Sequence, residues 1–178
     1  MLKKALFTIF CIGIKFVSFG QFIPSDSTHK KSNYYNLNTV NNLLDFANDH
    51  LHLRYRSGGT TKKGFDCSGF VRYCFKNFGM ILPHGSAAQS LLGYSVSRIE
   101  AQPSDLIFFK GHNAKGKRVG HVGIVTEVTD KYIKFIHSAW NGGVRYDYLD
   151  AAYYQKRFMG IKRVLNPADA KNIKIEKD

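Results

Sequence analysis

The spacing of apolar residues predicts two amphipathic helices in the first half of the chain. The apolar positions of the first helix are spaced three and four residues apart: Val40, Leu43, Leu44, Ala47 and Leu51. Thr39, directly before them, can act as the N-cap. The second starts at Cys67 and also carries its apolar side chains on one face: Phe70, Val71, Cys74, Phe75 and Phe78. Gly79 stands where a C-terminal cap belongs, and Ser86 can cap a short third helix that runs to Leu92.

The second half of the chain has the short β-branched and aromatic runs that are typical of strands. Five strands are predicted, at about 105–109, 120–128, 131–139, 143–147 and 159–165. A short helix rich in Tyr near 150–157 precedes the last strand. Helices followed by consecutive strands are typical of the α+β class. We therefore expect N-terminal helices packed on a small, largely antiparallel sheet.

The N-terminal residues have the features of an export signal. The chain starts with a basic stretch, continues with apolar residues 5–14, and has Ser18 and Gly20 at the −3 and −1 positions of a cleavage site. Lys15 interrupts the apolar run, which is too short for a membrane-spanning helix of about 20 residues. We therefore predict a signal peptide over residues 1–20 and export to the periplasm, the cell envelope or the exterior of a bacterium. Whether Cys11 is ever lipidated stays open.

The rest of the chain is predicted to hold one domain between two polar segments. Residues 21–36 are rich in Ser, Asn, His and Lys and are expected to form a flexible linker. Residues 37–165 contain all the predicted helices and strands and form the one expected domain. Residues 166–178 are charged and are expected to be a disordered tail.

The charge of the chain indicates what it binds. It has 26 Lys and Arg against 13 Asp and Glu, a formal net charge of +13, and loss of the three lysines in the predicted signal peptide would leave +10. Such a surface attracts anionic polymers and lipid headgroups of a cell envelope. No basic-aromatic run or nucleic-acid-binding motif accompanies the charge, so nucleic acid is not expected as a partner. We expect a monomer.

Cys67 is the strongest candidate for a reactive group. It lies in the first turn of the second predicted helix, where unpaired backbone N–H groups and the helix dipole favour a thiolate and can lower a cysteine pKa to roughly 3.5–7.5. Cys74 lies two turns further along the apolar face, about 10 Å away, which is too far for a disulfide and indicates a core residue. The pattern favours Cys67 as a nucleophile.

A nucleophilic thiol needs a base and a group that orients the base. His121 and His137 each lie in an apolar, strand-like run, so neighbouring strands could present both rings to the start of the helix. One Cys and two His could also bind zinc with an open position. The chain has no Cys-x-x-Cys or His-x-x-x-His pair to preform two ligands on one element. We therefore expect neither a metal nor a cofactor.

These residues belong to a longer series of motifs in which the chain resembles the NlpC-type cell-wall cysteine peptidases. The similarity covers about residues 37 to 165, and its motifs are Tyr55-Arg56-Ser57-Gly58-Gly59, Asp66-Cys67-Ser68-Gly69-Phe70, Leu82-Pro83, Gln89, Pro103-Ser104-Asp105-Leu106-Ile107, His121-Val122-Gly123-Ile124, His137 and Arg163-Val164. The resemblance implies a circularly rearranged papain-like fold and a peptidoglycan substrate. Two positions depart from the family: Ser104 replaces a glycine, and His84 stands where relatives commonly have an arginine.

The resemblance also implies a role for each matched residue. Cys67 would be the nucleophile, His121 the general base and acid, His137 the orienting group, and Tyr55 an oxyanion donor through its hydroxyl. The expected substrate-binding residues flank the nucleophile or lie in the nearby loops: Arg56, Asp66, Ser68, His84 and Ser86.

The expected function is an exported thiol protease that hydrolyses amide bonds in peptidoglycan stem peptides or cross-links through a thioester. Two alternatives stay open. The thioester could pass to an amine, which would make the protein a transferase, or the domain could be an inactive basic module that binds the cell wall. Intact Cys67, His121 and His137 argue against the inactive module. The bond cut is either that between D-glutamate and the diamino acid or that between D-alanine and the diamino acid, and the sequence slightly favours the second.

Overall fold

The computed structural model describes the backbone of residues 27–165 and side chains from residue 38 onward. The predicted signal peptide at 1–20, the first part of the predicted linker at 21–26 and the predicted tail at 166–178 lie outside the described residues. The helices are α1 Ser27–Asn48, α2 Cys67–Lys76, α3 Ser86–Gln89 and α4 Ala152–Gln155. The strands are β1 Thr60–Thr61, β2 Gly64–Phe65, β3 Tyr94–Val96, β4 Leu106–Lys110, β5 Val119–Val128, β6 Ile133–Ala139, β7 Gly143–Tyr148 and β8 Phe158–Arg163.

The first helix is longer than predicted. It begins at Ser27 and not after Thr39, so the prediction of a flexible linker is wrong for residues 27–36. The helix contains neither Gly nor Pro, and no backbone feature stops it from continuing toward its N-terminus. Its predicted apolar face is confirmed where it packs, because Leu43 and Ala47 are fully buried. No helix among the described residues is both long and apolar enough to cross a membrane.

Six strands form the main sheet in the order β3-β8-β4-β5-β6-β7, and every neighbouring pair is antiparallel. This confirms the predicted α+β class and the antiparallel sheet. The five predicted strands are present with ends shifted by a few residues, whereas β3 and the two-stranded β1–β2 hairpin were not predicted. These three strands are two or three residues long, too short for an alternating pattern to be recognisable.

The sheet has an apolar cluster on each face. On one face α1 and α2 cover a cluster that includes Phe70, Phe75, Phe108, Val122 and Ile136. On the other face α4 covers a smaller cluster: Ala101, Ile107, Phe109, Val125, Ile133, Phe135, Leu149, Tyr154 and Ile161. Alternation along each strand sends neighbouring residues to opposite faces, which is why the four consecutive residues from Leu106 to Phe109 in β4 are all buried. Helix α2 therefore packs against β5 and β6 in the sheet.

Two turns set the ends of α2. At its start, the backbone of Gly59 passes so close to Gly69 that a Cβ on Gly69 would come within 2.0 Å of the Gly59 carbonyl oxygen. At its end, Gly79 adopts φ of 76° and the Met80 N–H donates to the Phe75 carbonyl at 3.0 Å, which confirms the predicted glycine cap.

Ser86 is the first residue of α3 and not its cap, a position that Gly85 occupies.

An ion pair joins the start of β4 to the end of β8. Asp105, 1% exposed, receives hydrogen bonds from Arg163 Nε at 2.8 Å and Nη2 at 2.9 Å. The same guanidinium donates to the Glu100 carbonyl at 2.7 Å. This one contact explains why both Asp105 and Arg163 lie in motifs that match the family. Ser104, which precedes Asp105, adopts a left-handed φ of 80°, a conformation that glycine accommodates more easily.

Candidate active site

Cys67 is the first residue of α2, as predicted, and its side chain is partly exposed. Asp66 is the N-cap, and its carboxylate accepts a hydrogen bond from the Gly69 N–H at 2.6 Å. The helix packs against β5, and the backbone N–H of Val122 in that strand hydrogen-bonds the Cys67 sulfur. Because Val122 follows His121, this contact brings the strand that carries the histidine to the nucleophile.

The protonation state of Cys67 differs from the one predicted. Burial and the negative charge of Asp66 raise the pKa of the Cys67 thiol to about 11, although hydrogen bonds from the Val122, Ser68 and Cys67 N–H groups lower it. The predicted depression by the helix start is therefore outweighed by burial, which only packing reveals, and by the charge of the adjacent Asp66. The resting nucleophile is a neutral thiol, and it needs a base to remove its proton.

The candidate base belongs to a pair of hydrogen-bonded histidines. His121 Nε2 lies 2.7 Å from His137 Nδ1, and the two rings meet edge to face with centroids 4.8 Å apart. Gly123, two residues after His121 in β5, has no side chain, and a Cβ there would lie 2.8 Å from the Phe135 ring and 3.2 Å from the His137 Cβ. The close approach of the two rings therefore depends on the glycine. Nε2 of His121 is occupied, so Nδ1 is the ring nitrogen available to the thiol.

Both histidines are neutral near pH 7. Burial and the neighbouring His137 lower the pKa of His121 to about 3, against an opposing effect of Asp147. Burial also lowers the pKa of His137, although its hydrogen bond to Asp147 opposes the shift. A neutral imidazole can accept a proton, as a general base must.

We expect acidification below pH 6.5 to destabilise the protein. In the unfolded chain His121 binds a proton near its ordinary pKa of 6.5, but in the folded state only near pH 3, so between these values the unfolded state binds more protons. The free energy of unfolding should therefore fall by up to about 1.4 kcal/mol per pH unit for this group as the pH drops through that window. Urea unfolding at pH 7 and pH 5 measures it. His121→Gln should have a shallower pH slope, and an unchanged slope would contradict the prediction.

The sequence did not indicate the residues beyond His137. Asp147 Oδ2 lies 2.9 Å from His137 Nε2, the Tyr154 hydroxyl donates to the same oxygen at 2.7 Å, and Arg145 Nε donates to it at 2.9 Å. The sequence did hold one indication for Arg145 and Asp147: they are two residues apart on a predicted strand, so their side chains lie on the same face of the sheet. The missing information was the register of β6 and β7, in which His137 faces Arg145.

Tyr55 lies beside the nucleophile, as the predicted oxyanion role requires. Burial, then repulsion by Cys67 in its thiolate form and by Asp66, raises the pKa of the Tyr55 hydroxyl, so it is protonated at neutral pH and can donate. An isolated parallel bridge to Phe65 holds the Tyr55 backbone next to the hairpin that leads into α2. The position supports a donor role toward a charge that develops near Cys67.

The predicted substrate-binding residues do not form one set. Ser68 and Ser86 are 3% and 8% exposed, and the Ser68 hydroxyl donates to Asp66 at 2.9 Å and accepts from the Gly85 N–H at 3.1 Å. Their predicted contact with substrate is not supported, because the packing of α3 against the start of α2 buries both. His84 Nε2 lies 3.2 Å from Asp66 Oδ2 and remains 43% exposed, and Arg56 is exposed. These two can still reach a ligand.

Three further residues have structural roles. Gln89 is fully buried and donates to the carbonyls of Ser68 and Pro83 at 3.0 and 2.9 Å, which ties α3 to the nucleophile helix. Cys74 is fully buried in the core, as predicted. His50 is 4% exposed, because its ring packs among aromatic rings and its Nδ1 lies 2.7 Å from the Phe46 carbonyl.

Curated proteins with related sequences have the names of endopeptidases. The murein DD-endopeptidase MepS/murein LD-carboxypeptidase of Escherichia coli is 36% identical over 135 residues, which cover 74% of this chain and 66% of that protein. The probable endopeptidase NlpC of the same organism is 38% identical over 111 residues, which cover 62% of this chain and 68% of that protein. This chain therefore spans about two thirds of the length of these relatives.

Solved structures show the same fold. An NlpC/P60 family protein from Bacillus cereus matches with a TM-score of 0.63 and 32% identity over 71% of this chain and 40% of its own. A Staphylococcus aureus protein described as similar to lipoprotein, NLP/P60 family, matches with the same TM-score and identity over 72% of this chain and 42% of its own. Residues 52–163, more than half of the sequence, match the model of the NlpC/P60 family. The predicted resemblance is confirmed, and the chain belongs to the NlpC/P60 family.

Proposed function

We propose that this protein is a cysteine peptidase that hydrolyses amide bonds in peptidoglycan. The observation that carries the proposal is the hydrogen-bonded chain His121–His137–Asp147, which lies beside a cysteine in the first turn of a helix. A wall-binding module has no need of two neutral histidines joined in this way. Curated relatives with endopeptidase names support the same activity.

The mechanism follows from the protonation states. His121 Nδ1 takes the proton of the Cys67 thiol as the sulfur attacks the amide carbon. The Tyr55 hydroxyl and the Cys67 N–H donate hydrogen bonds to the oxyanion that forms. The C–N bond then breaks, the amine leaves with the proton from His121, and a thioester remains. Water, deprotonated by His121, attacks the thioester and releases a carboxylic acid, and the proton returns to the sulfur.

The place of action follows from the substrate. Peptidoglycan lies outside the cytoplasmic membrane of bacteria, so the proposal requires export, which the predicted signal peptide at 1–20 would provide. A mature charge of +10 would hold the enzyme on the anionic envelope. Salt should therefore weaken its binding to cell walls.

Within this activity we propose cleavage of the D-alanine to diamino-acid cross-link. The support is the name of the E. coli relative, a murein DD-endopeptidase, together with the motifs from Tyr55 to Ser68 that resemble the cross-link-cutting members. The enzyme should convert purified cross-linked dimeric muropeptides into monomers, which mass spectrometry resolves. If dimers persist while free stem peptides are cut after D-glutamate, the bond assignment is wrong. Removal of a terminal D-alanine from tetrapeptides would instead indicate the carboxypeptidase activity that the relative's name also contains.

A further inference from the structure

The carboxylate of Asp147 lies at the far end of the histidine pair from Cys67. One of its oxygens, Oδ2, has four contacts: His137 Nε2 at 2.9 Å, the Tyr154 hydroxyl at 2.7 Å, and Arg145 Nε and Nη2 at 2.9 and 2.8 Å. Burial raises the pKa of Asp147, but the hydrogen bonds from His137, Tyr154 and Arg145 outweigh it and hold the pKa at about 2. The group is therefore an ionised carboxylate at neutral pH, which can only accept hydrogen bonds.

An acceptor at this end determines the proton positions along the whole chain. His137 Nε2 must carry a hydrogen in order to donate to Asp147. A neutral imidazole has one N–H, so His137 Nδ1 is an acceptor. His121 Nε2, 2.7 Å away, must then be the donor. The same rule leaves His121 Nδ1 without a hydrogen, as a base for the thiol must be.

We propose that Asp147 is a positioning residue that sets the tautomers of both histidines and so presents the unprotonated Nδ1 of His121 to Cys67. The effect of Asp147 on hydrolysis rests on the proposed function. Its effect on the tautomers of the two histidines does not. Without the carboxylate, His137 can reverse and donate from Nδ1 to His121 Nε2. His121 would then carry its hydrogen on Nδ1 and could not accept the proton of the thiol.

The surroundings of Asp147 support this role. Arg145 is held on the same strand two residues away, and Tyr154 reaches the carboxylate from α4, so two elements hold it in place. In the β6–β7 ladder Asp147 faces Phe135 and Arg145 faces His137, which makes Asp147 the diagonal neighbour of the histidine. The His137 side chain is 1% exposed, so no bulk water competes for its Nε2.

The tautomers can be measured directly by ¹⁵N NMR of the histidine rings in the full chain. In the wild type, both His121 and His137 should carry hydrogen on Nε2. Asp147→Ala should produce Nδ1–H forms on both rings together, and Asp147→Asn, whose side-chain oxygen can still accept, should restore most of the wild-type pattern. Asp150→Asn, in the exposed turn after β7, is the matched control and should change nothing. Hydrogen on Nδ1 of either ring in the wild type, or unchanged tautomers in Asp147→Ala, would overturn the proposal.

A second measurement keeps the inference separate from the substrate. The rate at which iodoacetamide alkylates Cys67 at pH 7, followed by peptide mapping, reports proton removal by His121 without any hydrolysis. It should fall by roughly 10-fold to 100-fold in Asp147→Ala and recover partly in Asp147→Asn, with fully buried Cys74 unlabelled as the sign of an intact core. Equal alkylation rates in all variants would refute the role of Asp147. Altered tautomers and rates in a protein that does not cut peptidoglycan would leave the inference standing and reject the proposed function.

Discussion

Cys67→Ala should abolish hydrolysis of purified sacculi, with a loss on the order of 10⁴-fold or more, because no other group can form the thioester. The substitution removes only a partly exposed sulfur at the start of α2. The Asp66 cap and the core beneath it remain, so the variant should fold. Released fragments, identified by mass, measure the activity, and circular dichroism checks the fold.

Cys74→Ala is the matched control, since it removes the other described cysteine from the same helix. Cys74 is fully buried, so the change should cost stability by leaving a small cavity but leave most of the activity at room temperature. A chelator should also have no effect on the wild type. Equal loss in two folded variants would reject Cys67 as the nucleophile, and activity lost to the chelator and restored by zinc would favour a metal site.

His121→Ala should reduce activity by about 10²–10⁴-fold, the usual contribution of a general base. The reason is that the thiol, whose pKa burial and Asp66 raise to about 11, is left without a proton acceptor. His137→Gln should be much less harmful. The glutamine oxygen can accept from His121 Nε2 while its amide donates to Asp147, which preserves the direction of both hydrogen bonds.

The comparison of the two variants is the decisive measurement. Initial rates on cross-linked muropeptides give the activity, and alkylation of Cys67 gives the reactivity of the thiol. His121→Ala should slow both. If Cys67 in this variant reacts with iodoacetamide as fast as in the wild type, the helix start alone activates the thiol and His121 has a different role.

Local sequence was sufficient for most of the fold. The apolar spacing predicted the buried face of α2, its cap at Gly79 and the five longer strands, because each pattern depends on residues a few positions apart. It failed for α1, where the mostly polar residues 27–36 before the packed segment continue the helix. Polarity indicated a linker there, but polarity alone does not stop a helix that lacks Gly and Pro.

The candidate site divides in the same way. The sequence indicated Cys67, His121, His137 and Tyr55 as candidates, because each belongs to a motif that can be recognised without knowing which residues surround it in the folded protein. Ser68 lies in such a motif too and Ser86 lies between two of them, yet the packing of α3 against α2 buries both. A motif therefore indicates which residues matter and not which of them a substrate can reach.

By itself, the sequence determined the α+β class and the family and indicated the candidate nucleophile and histidines, since these depend on residue type and short-range spacing. Only the tertiary structure decided their protonation states and their partners. The pKa of Cys67 is raised by burial and by Asp66, and the chain of hydrogen bonds ends on Asp147 because the register of β6 and β7 brings it to His137. Burial and register arise from contacts between residues far apart in sequence, so no local pattern records them.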